Sequence, residues 1–194
     1  MGKRRNRQAM VWGYISIVCL SLVIILVSIY SMNKVCTESN LIIKKLFPTK
    51  IVSIEILTSL INQETGIQTY IISEDKVFLE PYYLGSNQIQ RYYNSLTNLK
   101  DAALEIETTN QLNEQMKSIQ NFFKQQITLV ENGKSSEAKL NLNKGKNLVD
   151  KFRLTDNILL NKIDLEVNNS HNKVKNTQII QLFSYFKCIY VMAY

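Results

Sequence analysis

The 194-residue chain is poor in the residues that bend a backbone, with six glycines and two prolines. That scarcity argues against a sheet and its many turns, and favours long helices joined by few connections. Histidine occurs once, at His171, with no partners for a metal, so it reads as a solvated surface side chain. The three cysteines, Cys19, Cys36 and Cys188, are widely spaced, and two of them lie in apolar segments. They make neither a disulfide framework nor a ligand set. Cys36 keeps two readings: a bond to its own copy in a dimer within an oxidising compartment, or a free thiol. No glycine-rich phosphate loop and no nucleophile with an adjacent base is present. No catalytic, cofactor-binding or metal-binding residue is assigned, and the chain is not expected to be an enzyme.

Acidic side chains are outnumbered, and the formal charge is +7. The excess is local. Lys3, Arg4, Arg5 and Arg7 lie in a basic tail and Lys187 near the other end, which leaves 18 basic against 16 acidic residues between Asn33 and Asn176. A nucleic-acid footprint needs a clustered basic face, so nucleic acid is not an expected partner.

Residues 1–9 form that basic tail. From Gln8 to Asn33 no side chain is charged, and Met10 to Met32 is a mainly apolar run of 23 residues. At about 1.5 Å per residue it is long enough for a hydrocarbon core of about 30 Å. It is too long for the apolar part of a signal peptide, and Ser28-Ile29-Tyr30-Ser31 is a poor cleavage site. An uncleaved transmembrane helix over 10–32 is therefore expected. The four basic residues before it against Lys34 after it place the N-terminus in the cytoplasm and the following chain outside. Trp12, Tyr14 and Tyr30 lie where interfacial aromatic belts form.

Residues 33–176 divide into four helical stretches. The first, about 33–72, carries Phe47, Ile51, Ile54, Leu57, Ile61, Glu64, Gln68 and Ile71 at three- and four-residue steps, and Pro48 should kink it near its base. The second, about 76–107, has a heptad seam of Gly85, Ile89, Tyr92, Leu96, Leu99, Ala103 and Ile106. Thr108-Thr109-Asn110 then offers a turn and a cap. The third, about 111–131, buries Leu112, Met116, Ile119, Phe123 and Val130, with Gln126 as a polar exception, and stops at Asn132-Gly133. The fourth starts near Ser135 or Ser136 and keeps a seam of Ala138, Leu142, Gly145, Val149, Phe152, Asp156, Leu159 and Ile163. With no later Gly or Pro, it can run unbroken into the last apolar segment. Outgoing and returning lengths differ by about 18 Å, a few turns, which fits an all-α, up-down-up-down four-helix bundle with long helices, anchored in a membrane. Residues 177–194 are read as a second transmembrane segment. It is short and contains Lys187, whose side chain must reach the surface.

The most informative stretch joins the first two helices. It contains Glu64-Thr65-Gly66, then Tyr70 and Asp75, then Phe78-Leu79-Glu80-Pro81-Tyr82. Ser73-Glu74-Asp75 can end one helix and begin the next, and Pro81 falls in a first turn, where a missing N–H costs least. This pattern resembles the signature of the CHASE type-three domain, an extracytoplasmic sensory module of bacterial receptors, over roughly residues 35–175. That family often has Arg-Gly where this chain has Gln68-Thr69, and Thr-Gly where it has Ser73-Glu74. Its first helix usually runs straight out of the membrane, without a Pro48. A weaker echo is Gly145-Lys146 to Asp150-Lys151-Phe152-Arg153.

The resemblance implies a signal-transducing domain of sensor-histidine-kinase type at the cell membrane, dimeric, answering a small-molecule or protein stimulus and joined to an output domain. That output is absent from this chain: Ser170-His171-Asn172-Lys173 lacks the Glu and downstream Pro of a phosphoacceptor, and the expectation is a truncated receptor fragment. A membrane-tethered coiled-coil stalk and the ligand-binding bundle of a chemoreceptor are the alternatives. The candidate sensory residues are Glu64, Gln68 and Asp156, seam positions that either form a buried polar layer or turn to the solvent edge. Tyr70, Phe78, Tyr82 and Tyr83 form an aromatic cluster that either packs the hairpin end or lines a pocket.

Overall fold

The structure, a computed structural model, describes residues 2–98 and 106–193. Among these the chain is all-α, with no strand. Six α-helices follow one another: α1 (Gly2–Leu41), α2 (Phe47–Ser73), α3 (Glu80–Asn98), α4 (Ile106–Glu131), α5 (Ser135–Leu140) and α6 (Leu142–Ala193). A single π turn (Ile42–Leu46) separates α1 from α2, and a 3₁₀ turn (Lys76–Leu79) precedes α3. The interruption expected at Pro48 thus takes the form of that π turn. Proline offers no N–H to the carbonyl of Lys44 and its ring crowds it, and a wider turn just upstream absorbs the misfit.

Three boundaries differ from expectation. Thr108-Thr109-Asn110 is not a turn: α4 already starts at Ile106, and Thr108 and Thr109 are buried in it. Neither Ser135 nor Ser136 caps the fourth helical stretch. The N-cap is Lys134, without a side-chain hydrogen bond, and Ser135 is buried. That stretch also breaks once, at Asn141, where α5 gives way to α6. The stop after α4 is as expected. Gly133 takes φ +74°, its N–H reaches the Val130 carbonyl at 2.9 Å, and the Lys134 N–H reaches that of Leu129 at 2.8 Å. This is the paired closure that a left-handed glycine permits at a helix end.

The chain divides between Ile42 and Ile43 and again between Glu166 and Val167. One unit combines α1 with the end of α6. Most of its apolar side chains from Met10 to Met32 are exposed, and among the described residues one helix, that containing Met10, is long and apolar enough to cross a membrane. Within this unit Ser28 and the Tyr185 hydroxyl lie 2.6 Å apart, Gln181 Nε2 donates to Tyr185 at 2.7 Å, and Lys173 meets Glu38 at 3.6 Å.

The bundle unit, Ile43–Glu166, holds the core. The α4 face is as expected, with Leu112, Met116, Ile119, Phe123, Gln126 and Val130 all buried. On the fourth stretch Ala138, Gly145, Val149, Phe152, Asp156, Leu159 and Ile163 are buried, and Leu142 half so. On α3, Gly85 and Ile89 are buried and Tyr92 half-buried; Leu99 and Ala103 lie outside the described residues. The face of α2 is a correction. Phe47, Ile51 and Ile54 are exposed, and Leu57, Ile61, Glu64 and Gln68 are half-buried. The core instead takes Thr49, Ser53, Ile56, Leu60, Gln63, Ile67 and Tyr70, together with Ile71. Those first seven step by four and three, a heptad seam with polar occupants in which apolar volume did not mark the inner face.

Candidate functional site

The hairpin between α2 and α3 is fixed by its own backbone chemistry. Helix α2 ends at Glu74 in the left-handed conformation, φ 60°, with its N–H on the Tyr70 carbonyl at 2.7 Å. Asp75 caps the next turn: its carboxylate accepts from the Val77 N–H at 3.0 Å, and its carbonyl from the Phe78 N–H at 3.2 Å. The Ser73 hydroxyl accepts from the Asp75 N–H at 3.2 Å. Leu79 and Tyr70 are buried, Glu80 is exposed, and Pro81 and Tyr82 are half-buried. Thr65, exposed, donates back to the Ile61 carbonyl at 3.0 Å.

Gly66 explains the closeness of the hairpin. A Cβ there would stand 2.6 Å from the Phe78 carbonyl oxygen and 3.4 Å from Pro81 Cγ. Two elements of the sequence signature, Glu64-Thr65-Gly66 and Phe78 to Tyr82, are therefore in contact, and only glycine lets the backbones approach this far. The aromatic residues do not close a single cluster around a cavity. Tyr82 and Tyr83 stack edge to face at 5.4 Å, Tyr83 is exposed, and Phe78 forms part of the wall of an open groove of about 740 Å³ along α2 and α3. Burial, and then the Glu131 charge, push the Tyr70 hydroxyl pKa above its ordinary value.

Below the tip a polar ladder crosses the bundle. The Ser86 hydroxyl donates to Gln120 Oε1 at 3.0 Å, Gln120 Nε2 to Gln63 Oε1 at 2.8 Å, and Gln63 Nε2 to the Ser59 hydroxyl at 3.2 Å. It ties α2, α3 and α4 together through a fully buried glutamine. Gly85 makes room for it, since a Cβ there would lie 2.4 Å from Gln63 Nε2. A second polar site joins α2 to α6: Ser53 donates to Asp156 Oδ1, while Asp156 Oδ2 is buried without a partner. Burial drives this carboxyl up to about 6, against a smaller lowering by Ser53.

The three polar seam residues therefore separate. Asp156 is wholly buried, as the buried-layer reading requires. Glu64 and Gln68 are half-buried and bonded to each other, Gln68 Nε2 to Glu64 Oε1 at 2.8 Å. Burial and the Asp150 charge raise the Glu64 pKa, and Arg153 and Lys146 oppose them. Glu64 thus faces the Lys146–Arg153 turns of α6, while Ser53 bonds Asp156. Eleven residues of α2 separate the two levels, about 16 Å along the helix. The ladder of Ser59, Gln63, Ser86 and Gln120 was not expected. Its one signal in the sequence is that Gln63 keeps the four-three spacing between Leu60 and Ile67. Among the described residues, no three His, Cys, Asp or Glu side chains gather to hold a metal.

The chain thus combines an all-α bundle, with a capped hairpin and a glycine-tight crossing, and an apolar helix long enough to cross a membrane. The chain belongs to the CHASE3 domain family, which matches residues 53–164, more than half of its length. CHASE3 domains are extracytoplasmic sensory domains of receptors such as histidine kinases and chemoreceptors. The match spans the hairpin, the polar ladder and Asp156. No curated protein and no solved structure matched the chain.

Proposed function

We propose that this chain is the sensory input of a bacterial transmembrane receptor of the sensor-histidine-kinase type, working as a homodimer at the cell membrane. Residues 10–32 cross the membrane from a cytoplasmic basic tail, residues 33–176 lie outside, and residues 177–194 return. The observation that carries this reading is the CHASE3 match over residues 53–164, placed after an apolar helix of membrane-spanning length. A stimulus, whether a small molecule or a protein, shifts the balance between two arrangements of the bundle. Helix α6, unbroken from Leu142 to Ala193, transmits the shift as a small translation or rotation. The chain itself performs no chemistry; the receptor's output domain does.

The test is a chimera in which the chain drives a histidine-kinase output domain in cells. Gly66→Ala pushes a methyl group into the Phe78 carbonyl, and Leu148→Glu sets a charge on α6. Each should change kinase output several-fold while the chain remains helical and inserted. Unchanged output in both variants would contradict the sensory reading and leave a passive stalk.

A further inference from the structure

We infer that the outer face shared by α2 and α6 is the docking surface for a second copy of this chain, arranged about a two-fold axis parallel to the helices. This deepens the homodimer reading above and rests on it for the identity of the partner. Along the lower half of α2 the core takes Thr49 and Ser53, while Phe47, Ile51 and Ile54 stay outside. On α6 the same holds for Leu154, Ile158 and Leu165. All six side chains are between 44% and 67% exposed. Helix α4 has no large apolar side chain exposed among the described residues. Ile72, Val77, Phe78, Tyr83, Leu84 and Leu140 are exposed too, on the hairpin, the start of α3 and α5; away from these segments the exposed apolar side chains described in the bundle helices lie on α2 and α6.

The two rows border one groove. Lys50 bonds Asp164 at 2.6 Å and Ser53 bonds Asp156, so α2 and α6 run antiparallel with Phe47–Ile54 beside 156–165. At about 100° per residue, Phe47 and Ile54 come next round α2 from Lys50, on the side away from the core. Leu154 and Leu165 come next round α6 from Asp164, also away from the core. Each row thus continues outward from the edge where the two helices meet, and together they form one strip.

The character of the strip selects a second copy over other partners. About a two-fold axis parallel to the helices each side chain comes close to its own copy, so a charge near the axis would meet its like. The positions that complete the rows are uncharged, Thr58 on α2 and Asn161 on α6. Of the charges beside the strip, Lys50 and Asp164 satisfy each other within the chain, and Glu55 and Lys162 stand at its outer edges, beyond Ile51 and Ile158. Two chains anchored in one membrane are also held parallel and in register, and their high effective concentration lets a modest apolar strip suffice.

Single-cysteine versions of the full chain in lipid bicelles test this, with Cys19, Cys36 and Cys188 replaced by serine. Ile54→Cys and Ile158→Cys should each form disulfide-linked dimers under mild oxidation at least tenfold faster than Asn121→Cys, a control on the exposed side of α4. Ile54→Lys combined with Ile158→Lys should reduce the dimer at least tenfold, measured by light scattering, with helicity unchanged. A dimer in which Asn121→Cys links faster than the other two would overturn this face and leave the homodimer standing. A monomer in which the strip is instead labelled by a photoactivatable lipid would make it a lipid contact and overturn the inference. The sensory reading stands or falls separately, on the output of the kinase chimera.

Discussion

Glu74 carries the one positive φ of a non-glycine residue among the described residues. At φ 60° its Cβ crowds the following carbonyl, a cost of about 1–2 kcal/mol for an L-residue. The strain persists because the residues around it are fixed: Asp75 caps the next turn and Tyr70 accepts the Glu74 N–H. The signature that this hairpin resembles often has glycine at this place, and the backbone gives the reason. Glu74→Gly should therefore stabilise the folded chain, by about 1 kcal/mol after allowing for the greater freedom of glycine in the unfolded state. Chemical denaturation in detergent should show a higher midpoint with an unchanged slope. A lower midpoint would mean that Glu74 makes a compensating interaction.

At the scale of elements, the seams were legible where large apolar side chains filled them. The faces of α4 and α6 could be read from their three- and four-residue steps, and so could the stop at Gly133. The face of α2 could not. Its strongest apolar row, Phe47, Ile51 and Ile54, lies outside, while the inner row includes Thr49, Ser53 and Gln63. Periodicity reports that a row is apolar, not which neighbour covers it. Buried polar residues are acceptable inside only when bonded, and partners such as Gln120, distant in sequence, leave no local mark. The start of α4 was missed for a related reason: Thr108 and Thr109 have the composition of a turn but are buried within the helix.

Asp156 links two elements and brings a pH dependence. Burial raises its carboxyl from 3.8 to about 6 in the folded chain. The folded state therefore keeps a proton that the unfolded chain releases, so stability is full below about pH 4 and is lost as pH rises through about 6. The difference amounts to roughly 3 kcal/mol. Asp156→Asn keeps the shape and the Ser53 contact without the charge. It should be more stable than the native chain at pH 8, and the gap should close towards pH 4. Denaturation at the two pH values checks this; an equal gap at both would show that Asp156 is not the group responsible.

For the whole molecule, the helical class was readable from the scarcity of glycine and proline and from the helical steps, and the CHASE3 relationship from one hairpin, where backbone geometry demands Gly66 and tolerates Pro81. The receptor reading depends on which side of the membrane the bundle lies. Cys36 is exposed on α1 just past the apolar run and forms no disulfide within the chain. A membrane-impermeant maleimide applied to intact cells reports directly on that position. Cys36 should be labelled before permeabilisation, and the labelling should be lost in Cys36→Ser. Labelling that appears only after the cells are opened would place the region beyond Met32 in the cytoplasm and contradict the receptor reading.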